Sequence, residues 1–118
     1  MTKREQFDRT QIEAVVTAGT LIVKDNTRIP VGYKRVYTVI SAMSADRAPT
    51  RMRFGLNYNG RNHFYEEEPN PVLGVYYTTA REYHTKMTRL GVVVFHGMVA
   101  ADVIVINWHG YDQKIEEA

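Results

Sequence analysis

Cysteine is absent from the chain, which removes disulfide stapling, thiol catalysis and Cys-ligated zinc. Serine is nearly absent: Ser41 and Ser44 are the only two, and neither stands in the Gly-x-Ser-x-Gly elbow that presents a hydrolase nucleophile, so a serine triad is not expected. Gly55, Gly60, Gly74, Gly91 and Gly97 occur singly, with no Gly-rich loop to cradle a phosphate. Long apolar runs are missing too. Val92 to Phe95 is far short of the roughly 20 residues that a membrane-spanning helix needs. Met1 to Thr10 carries Lys3, Arg4, Glu5, Asp8 and Arg9 instead of the apolar core of a secretory signal, which predicts synthesis in the cytoplasm and use without Sec export.

What is present describes one globular domain. The 118 residues are 44% hydrophobic and 24% charged, enough chain to bury a core without metal or disulfide. Val, Ile, Tyr, Phe and Thr dominate the stretches between the glycines and prolines, and many alternate with the period of two that marks a half-buried strand. In Arg51 to Tyr58, Met52, Phe54, Leu56 and Tyr58 share one face and Arg51, Arg53, Gly55 and Asn57 the other. Asn59-Gly60 then suits a tight turn into Arg61 to Glu66, which predicts a hairpin. Gly91 to His96 and Asp102 to His109 flank a short connection and predict a second hairpin, with Ile104, Ile106 and the core anchor Trp108 on one face. Ile12 to Thr17, Thr20 to Lys24, an interior strand Tyr33 to Met43, and Val72 to Thr79 complete about eight strands at spacings near 8 to 12 residues. The expected fold is all-β: one antiparallel β-sandwich or jelly roll over residues 20–118, preceded by an N-terminal arm, edge segment or short helix over residues 1–19. The helical alternative rests on Thr2-x-x-Glu5, a capping-box pattern, with Phe7, Ala14 and Val15 on one face.

Chemistry finds little support. His63, His84, His96 and His109 show neither the i, i+4 nor the i, i+2 pairing of metal ligands, and His63 beside Glu66, Glu67 and Glu68 is the least poor candidate for zinc or calcium. No spacing selects a glycosidase pair from Glu66, Glu67, Glu68, Glu82, Asp102 and Asp112. No enzyme, cofactor or metal is therefore expected. A nucleic-acid platform could draw on Tyr33, Lys34, Arg35, Tyr37, Arg51, Arg53 and Tyr58 if they shared a face. The weak charge and the absence of a recognition motif argue against it.

Charge layout and tyrosine content point to contacts instead. The net +2 conceals blocks: residues 1–27 are neutral, 28–61 carry +6, 62–82 carry −3, 83–101 carry +2 and 102–118 carry −3. Blocks of opposite sign register one protein on another. Eight tyrosines exceed what a small core uses, and tyrosine is enriched at interfaces. The candidate interface residues are Phe7, Arg9, Arg51, Arg53, Tyr65, Tyr76, Tyr77, Tyr83 and Tyr111.

The stretch Gly97-Met98-Val99-Ala100-Ala101-Asp102-Val103-Ile104-Val105-Ile106-Asn107-Trp108-His109-Gly110-Tyr111 resembles the closing hairpin of small jelly-roll modules: a small-residue turn and an Asp precede a last strand that ends at an aromatic and Gly. Such modules are frequent among virion proteins of tailed phages, including capsid decoration or cement proteins and tail-tip binding modules. The resemblance covers about the last 70 residues in general pattern and carries no catalytic residues. It implies a rigid β domain in the virion that works through its surfaces as a homo-oligomer, a trimer for preference, bound to the major capsid protein or another virion protein. Two other roles remain open: a tail or connector subunit, and a carbohydrate- or receptor-binding module using surface aromatics with Asn57, Asn59, Asn62 and Asn70.

Overall fold

A computed structural model of the chain describes residues 4–58, 60–85 and 89–115. Nine strands form in the order β1 (Arg4–Ala14), β2 (Gly19–Lys24), β3 (Tyr33–Ser44), β4 (Arg51–Tyr58), β5 (Arg61–Pro69), β6 (Tyr77–Thr78), β7 (Tyr83–His84), β8 (Leu90–Met98) and β9 (Val103–Lys114). No helix of the structure is long and apolar enough to cross a membrane.

The strands make two antiparallel sheets. One has the order β1-β9-β3 with β6 and β7 both on the far side of β3, and the other the order β2-β8-β4-β5. Tyr77 and Thr78 pair with Ala42 and Ser41, and Tyr83 and His84 pair with Tyr37 and Val36, so β6 and β7 are two pieces of one interrupted edge strand. Counted as one, they leave eight strands in which the first pairs with the last, the second with the seventh, the third with the sixth and the fourth with the fifth. This is the wrapping of a jelly roll.

Alternation is the reason these segments are strands. Met52, Phe54 and Leu56 point into the core from β4, Val93 and Phe95 from β8, and Ile104, Ile106 and Trp108 from β9. Trp108 is fully buried, as a core anchor should be, with its indole N–H donating to Gln11 Oε1 at 2.9 Å. It leaves no room opposite: a Cβ on Gly91 would stand 2.6 Å from Trp108 Cζ3 and 3.1 Å from Tyr37 Cζ. Burying this core is what stabilises the domain, at roughly 25 cal/mol per Å² of apolar surface removed from water.

Several expectations need correction. Of the alternatives for the N-terminal segment, its described part is the edge segment, not a helix or a free arm. All eleven residues Arg4–Ala14 pair with β9, which puts Phe7, Arg9, Gln11 and Glu13 on one face with period two. The strand ends at Ala14, so Val15 to Thr17 lie outside it. β8 and β9 are not a hairpin but lie in opposite sheets, joined by a corner. Ala101, at φ 76°, turns the chain, and Val15 clamps the corner by donating to Asp102 O and accepting from Ala101 N–H, both at 2.8 Å. Only Tyr77 and Thr78 of the expected strand Val72 to Thr79 are extended and paired. Positive φ at Asn70 and Gly74 curls the preceding residues into a loop, tied to β3 by Gly74 N–H donating to Ser44 O at 3.0 Å. The hairpin at Gly60 is present, with Tyr58 opposite Arg61; Asn59 lies outside the described residues.

Candidate interaction surfaces

The densest polar cluster is enclosed in the protein. Arg35 on β3 uses all five of its N–H donors: Nε and Nη2 grip Asp112 at 2.7 and 2.9 Å, Nη1 reaches Asp25 Oδ2 at 3.0 Å, and Nη1 and Nη2 also donate to the carbonyls of Thr27 and Arg28 at 2.8 and 3.1 Å. Asp25 is equally occupied. It accepts from Arg9 Nη2 on both oxygens at 2.9 Å, from the Thr27 amide and hydroxyl, and from the Tyr37 hydroxyl at 2.7 Å. Tyr37 in turn accepts the Gly91 N–H from β8 at 2.9 Å, so the cluster clamps one sheet to the other. Phe7 closes it, with the guanidinium carbons of Arg9 and Arg35 4.5 and 4.9 Å from its ring centroid.

Burial opposes charge on Arg35, but the hydrogen bonds to Asp112, with the neighbouring Tyr37 hydroxyl and the Asp112 charge, outweigh it and raise its pKa. Burial, then the Asp25 carboxylate, holds the Tyr37 phenol well above the ordinary tyrosine range. Perturbed groups of this kind often mark catalytic sites. Here almost every polar atom is already engaged, Arg9 Nε being the exception, so the arrangement is a structural clasp. It also dissolves the nucleic-acid platform imagined from sequence, since Arg35 and Tyr37 are buried while Arg51 and Arg53 stand on the outside of the other sheet.

The remaining candidate residues are scattered. Tyr83 is core, and its hydroxyl bonds the Glu66 carboxylate, which also accepts the Ala80 N–H at 2.6 Å. Tyr77 is half-buried, its hydroxyl accepting the Val72 N–H at 2.7 Å. Arg4 lies over the half-buried Tyr111, 4.4 Å from its centroid. Arg51 pairs with Glu67 at 2.7 Å, and Arg53 is 3.6 Å from the same oxygen. Tyr65 and Tyr76 are exposed and not adjacent in the sheets, so the nine residues do not form one face. The acidic run does not converge with His63 either: His63 stacks on Tyr58 at 4.0 Å, Glu66 turns inward and Glu67 faces the arginines. Among the described residues no three His, Asp or Glu side chains gather as metal ligands would.

A different surface emerges, of which sequence reading had named only Tyr76. The domain measures 49 × 26 × 21 Å, and its two ends differ in character. One end is made by the loops of residues 15–18, 45–50, 70–76 and 99–102. Val16, Val72, Leu73, Val75, Tyr76 and Val99 all project there, each between 42% and 86% exposed. The charged residues in these loops are Asp46, Arg47 and Asp102, and each is engaged: Arg47 with Asp102 at 3.1 Å, and Asp46 with the Val103 N–H at 2.8 Å. The apolar surface continues onto the outside of the first sheet, where Ile12, Val105 and Met43 lie abreast on β1, β9 and β3. A contiguous apolar surface with its charges paired off is the composition of an interface centre. The opposite end carries Arg28, Arg61, Arg89 and Lys114.

Apart from Tyr76, sequence inspection missed the apolar end because Val72 to Tyr76 has strand composition. The usable signal was a charge-free stretch, Asn70 to Thr79, broken by Pro71 and Gly74. No protein-family model matches the chain, and no curated protein does.

Proposed function

We propose that this chain is a non-enzymatic structural protein of a phage-like virion, a capsid decoration or cement protein that binds and stabilises the assembled shell. The observation that carries the reading is the apolar end, with its charges neutralised internally, on a rigid jelly-roll body. That architecture recurs in capsid and lectin domains, where surfaces do the work. The apolar loops seat on the shell, and the Ile12, Val105 and Met43 row meets neighbouring copies in a homo-oligomer. A protein that binds only the assembled shell raises the free energy of disassembly by mass action, about 2.7 kcal/mol per site at a concentration one hundred times Kd.

The test uses Leu73→Asp with Val75→Asp, both at exposed loop positions where the fold tolerates charge. The wild-type chain should pellet with empty shells purified from its own source and delay their thermal disruption, while the double variant stays in the supernatant with an unchanged melting curve. Equal pelleting of the two proteins, or none by either, defeats the proposal. A tail or connector subunit would need the same surface and would pellet with tails instead.

One feature favours the second reading, a carbohydrate- or receptor-binding module. A cleft of about 410 Å³ beside edge strand β5 is lined by Arg53, Phe64, Tyr65, Glu66 and Glu67. Its rings and polar groups suit a sugar, although Asn57 and Asn62 are bonded to each other at 2.7 Å and less free for that task. Glycan-array binding lost in Tyr65→Ala would establish it.

A further inference from the structure

At the end of the sandwich away from the apolar loops, an apolar cavity opens between the sheets. Tyr33 of β3 and Ile115, just past β9, line it on one side and Leu90 of β8 on the other, and Ile29, Pro30 and the exposed Val31 of the β2–β3 loop form its rim, leaving an open space of about 370 Å³. That volume lies within the roughly 300–1,000 Å³ of small-molecule sites. The rim is fixed before any ligand arrives. Buried Arg35 holds the carbonyls of Thr27 and Arg28, Tyr33 N–H donates to Pro30 O at 3.0 Å, and Ile115 N–H donates to Gly32 O at 2.8 Å. The clasp that joins the sheets therefore also shapes this pocket, so a ligand meets walls that are already ordered.

Arg28 lines the same cavity and is exposed, and among the described residues its guanidinium makes no hydrogen bond or ion pair. Lys114, opposite Tyr33 in the sheet and next to Ile115, is a second exposed cation beside it. An apolar groove whose lining holds a guanidinium that no described residue pairs matches a molecule with a short apolar tail and an anionic head. The tail removes the groove's apolar surface from water, and the planar fork of Arg28 pairs with the head bidentately. The groove is too small for a two-chain lipid, and a neutral hydrocarbon would leave the cation unused.

We propose that this cavity is a binding site for a single-chain anionic amphiphile, of which a medium-chain carboxylate is the simplest example. Arg28 receives the head group, and Tyr33, Leu90 and Ile115 receive the tail. The site is independent of the shell-docking surface.

The test is an amide-shift titration of the full chain with decanoate, and with decanol as a neutral match of the same length, both below their aggregation limits. Decanoate should move the amides of Gly32, Leu90 and Ile115 and leave residues 70–76 still. Arg28→Ala, a change at an exposed side chain whose backbone carbonyl still serves Arg35, should weaken decanoate about tenfold and leave decanol unchanged. Leu90→Trp, which fills the groove, should abolish both. Shifts centred on residues 70–76, no saturable shifts, equal affinity for the two ligands, or an unchanged affinity in Arg28→Ala would each overturn the proposal.

Discussion

Replacing Asp25 by Asn should be the most damaging near-isosteric change in this protein. The carboxylate side chain is fully buried and accepts from Arg9, Arg35, Tyr37 and Thr27. An amide of the same shape keeps one oxygen and presents an NH₂ to donors, so whichever way it turns, one group of donors loses its acceptor. Two guanidinium groups are then left facing each other without the intervening charge. Breaking a buried ion pair from one side costs about 3–5 kcal/mol. A chain of 118 residues has an unfolding entropy of about 0.25 kcal/mol/K, so the melting temperature should fall by about 12–20 °C. The internal control is Glu67→Gln, which breaks the Arg51–Glu67 pair, 46% exposed on each side, and should cost no more than about 0.5 kcal/mol. Thermal and urea unfolding followed by circular dichroism measure both. An Asp25→Asn protein within about 1 kcal/mol of wild type, or a Glu67→Gln loss of equal size, would refute the view that the buried cluster holds the sheets together.

Gly91→Ala places a methyl group against Trp108 and Tyr37 and should cost about 1–3 kcal/mol, measured by urea unfolding; no loss would mean that the core has slack there. Tyr37 and Tyr83 are held above the ordinary range by burial first, and then by Asp25 and Glu66 respectively. Unfolded tyrosines ionise near pH 10, so the unfolded chain releases those protons first; stability is intact below about pH 10 and declines as pH rises beyond it. In a 295 nm titration these two should ionise only as the β-sheet signal is lost, and Tyr83→Phe should flatten the decline. Ionisation of all eight tyrosines in a folded chain would contradict this. Burial, then Arg53 and Arg51, lowers the pKa of His96, so the folded protein resists protonating it and its contribution to stability fades as pH falls below about 6.5. Its NMR midpoint should lie below that value and rise in Arg53→Ala; a midpoint at or above it is the contrary result.

Much of the fold could be read from residue order because the relevant physics is local. Alternation in β4 and β9 and the turn at Gly60 each depend on neighbours a few positions apart. The β8–β9 corner was not legible, since two alternating strands around a short connection look alike whether they share a sheet or face each other across a core. What decides is Val15, more than 80 positions upstream, clamping the turn. The clasp was hidden for the same reason: Arg35 and Asp112 are 77 residues apart, and a lone arginine in a strand reads as solvated. Of the apolar end only Tyr76 was picked out, because β-branched residues in a curled loop and in a strand have the same composition; the breakers Pro71 and Gly74 were the signal of the loop that the positive φ at Asn70 and Gly74 makes.

On the proposed function, the apolar loops seat on the shell. Hydrogen–deuterium exchange of the chain alone and bound to empty shells from its own source tests it most directly. Protection gained in residues 15–18, 70–76 and 99–102, with residues 25–32 unchanged, is the predicted outcome. Protection confined to residues 25–32, or a pattern unaltered by the shells, would contradict the account.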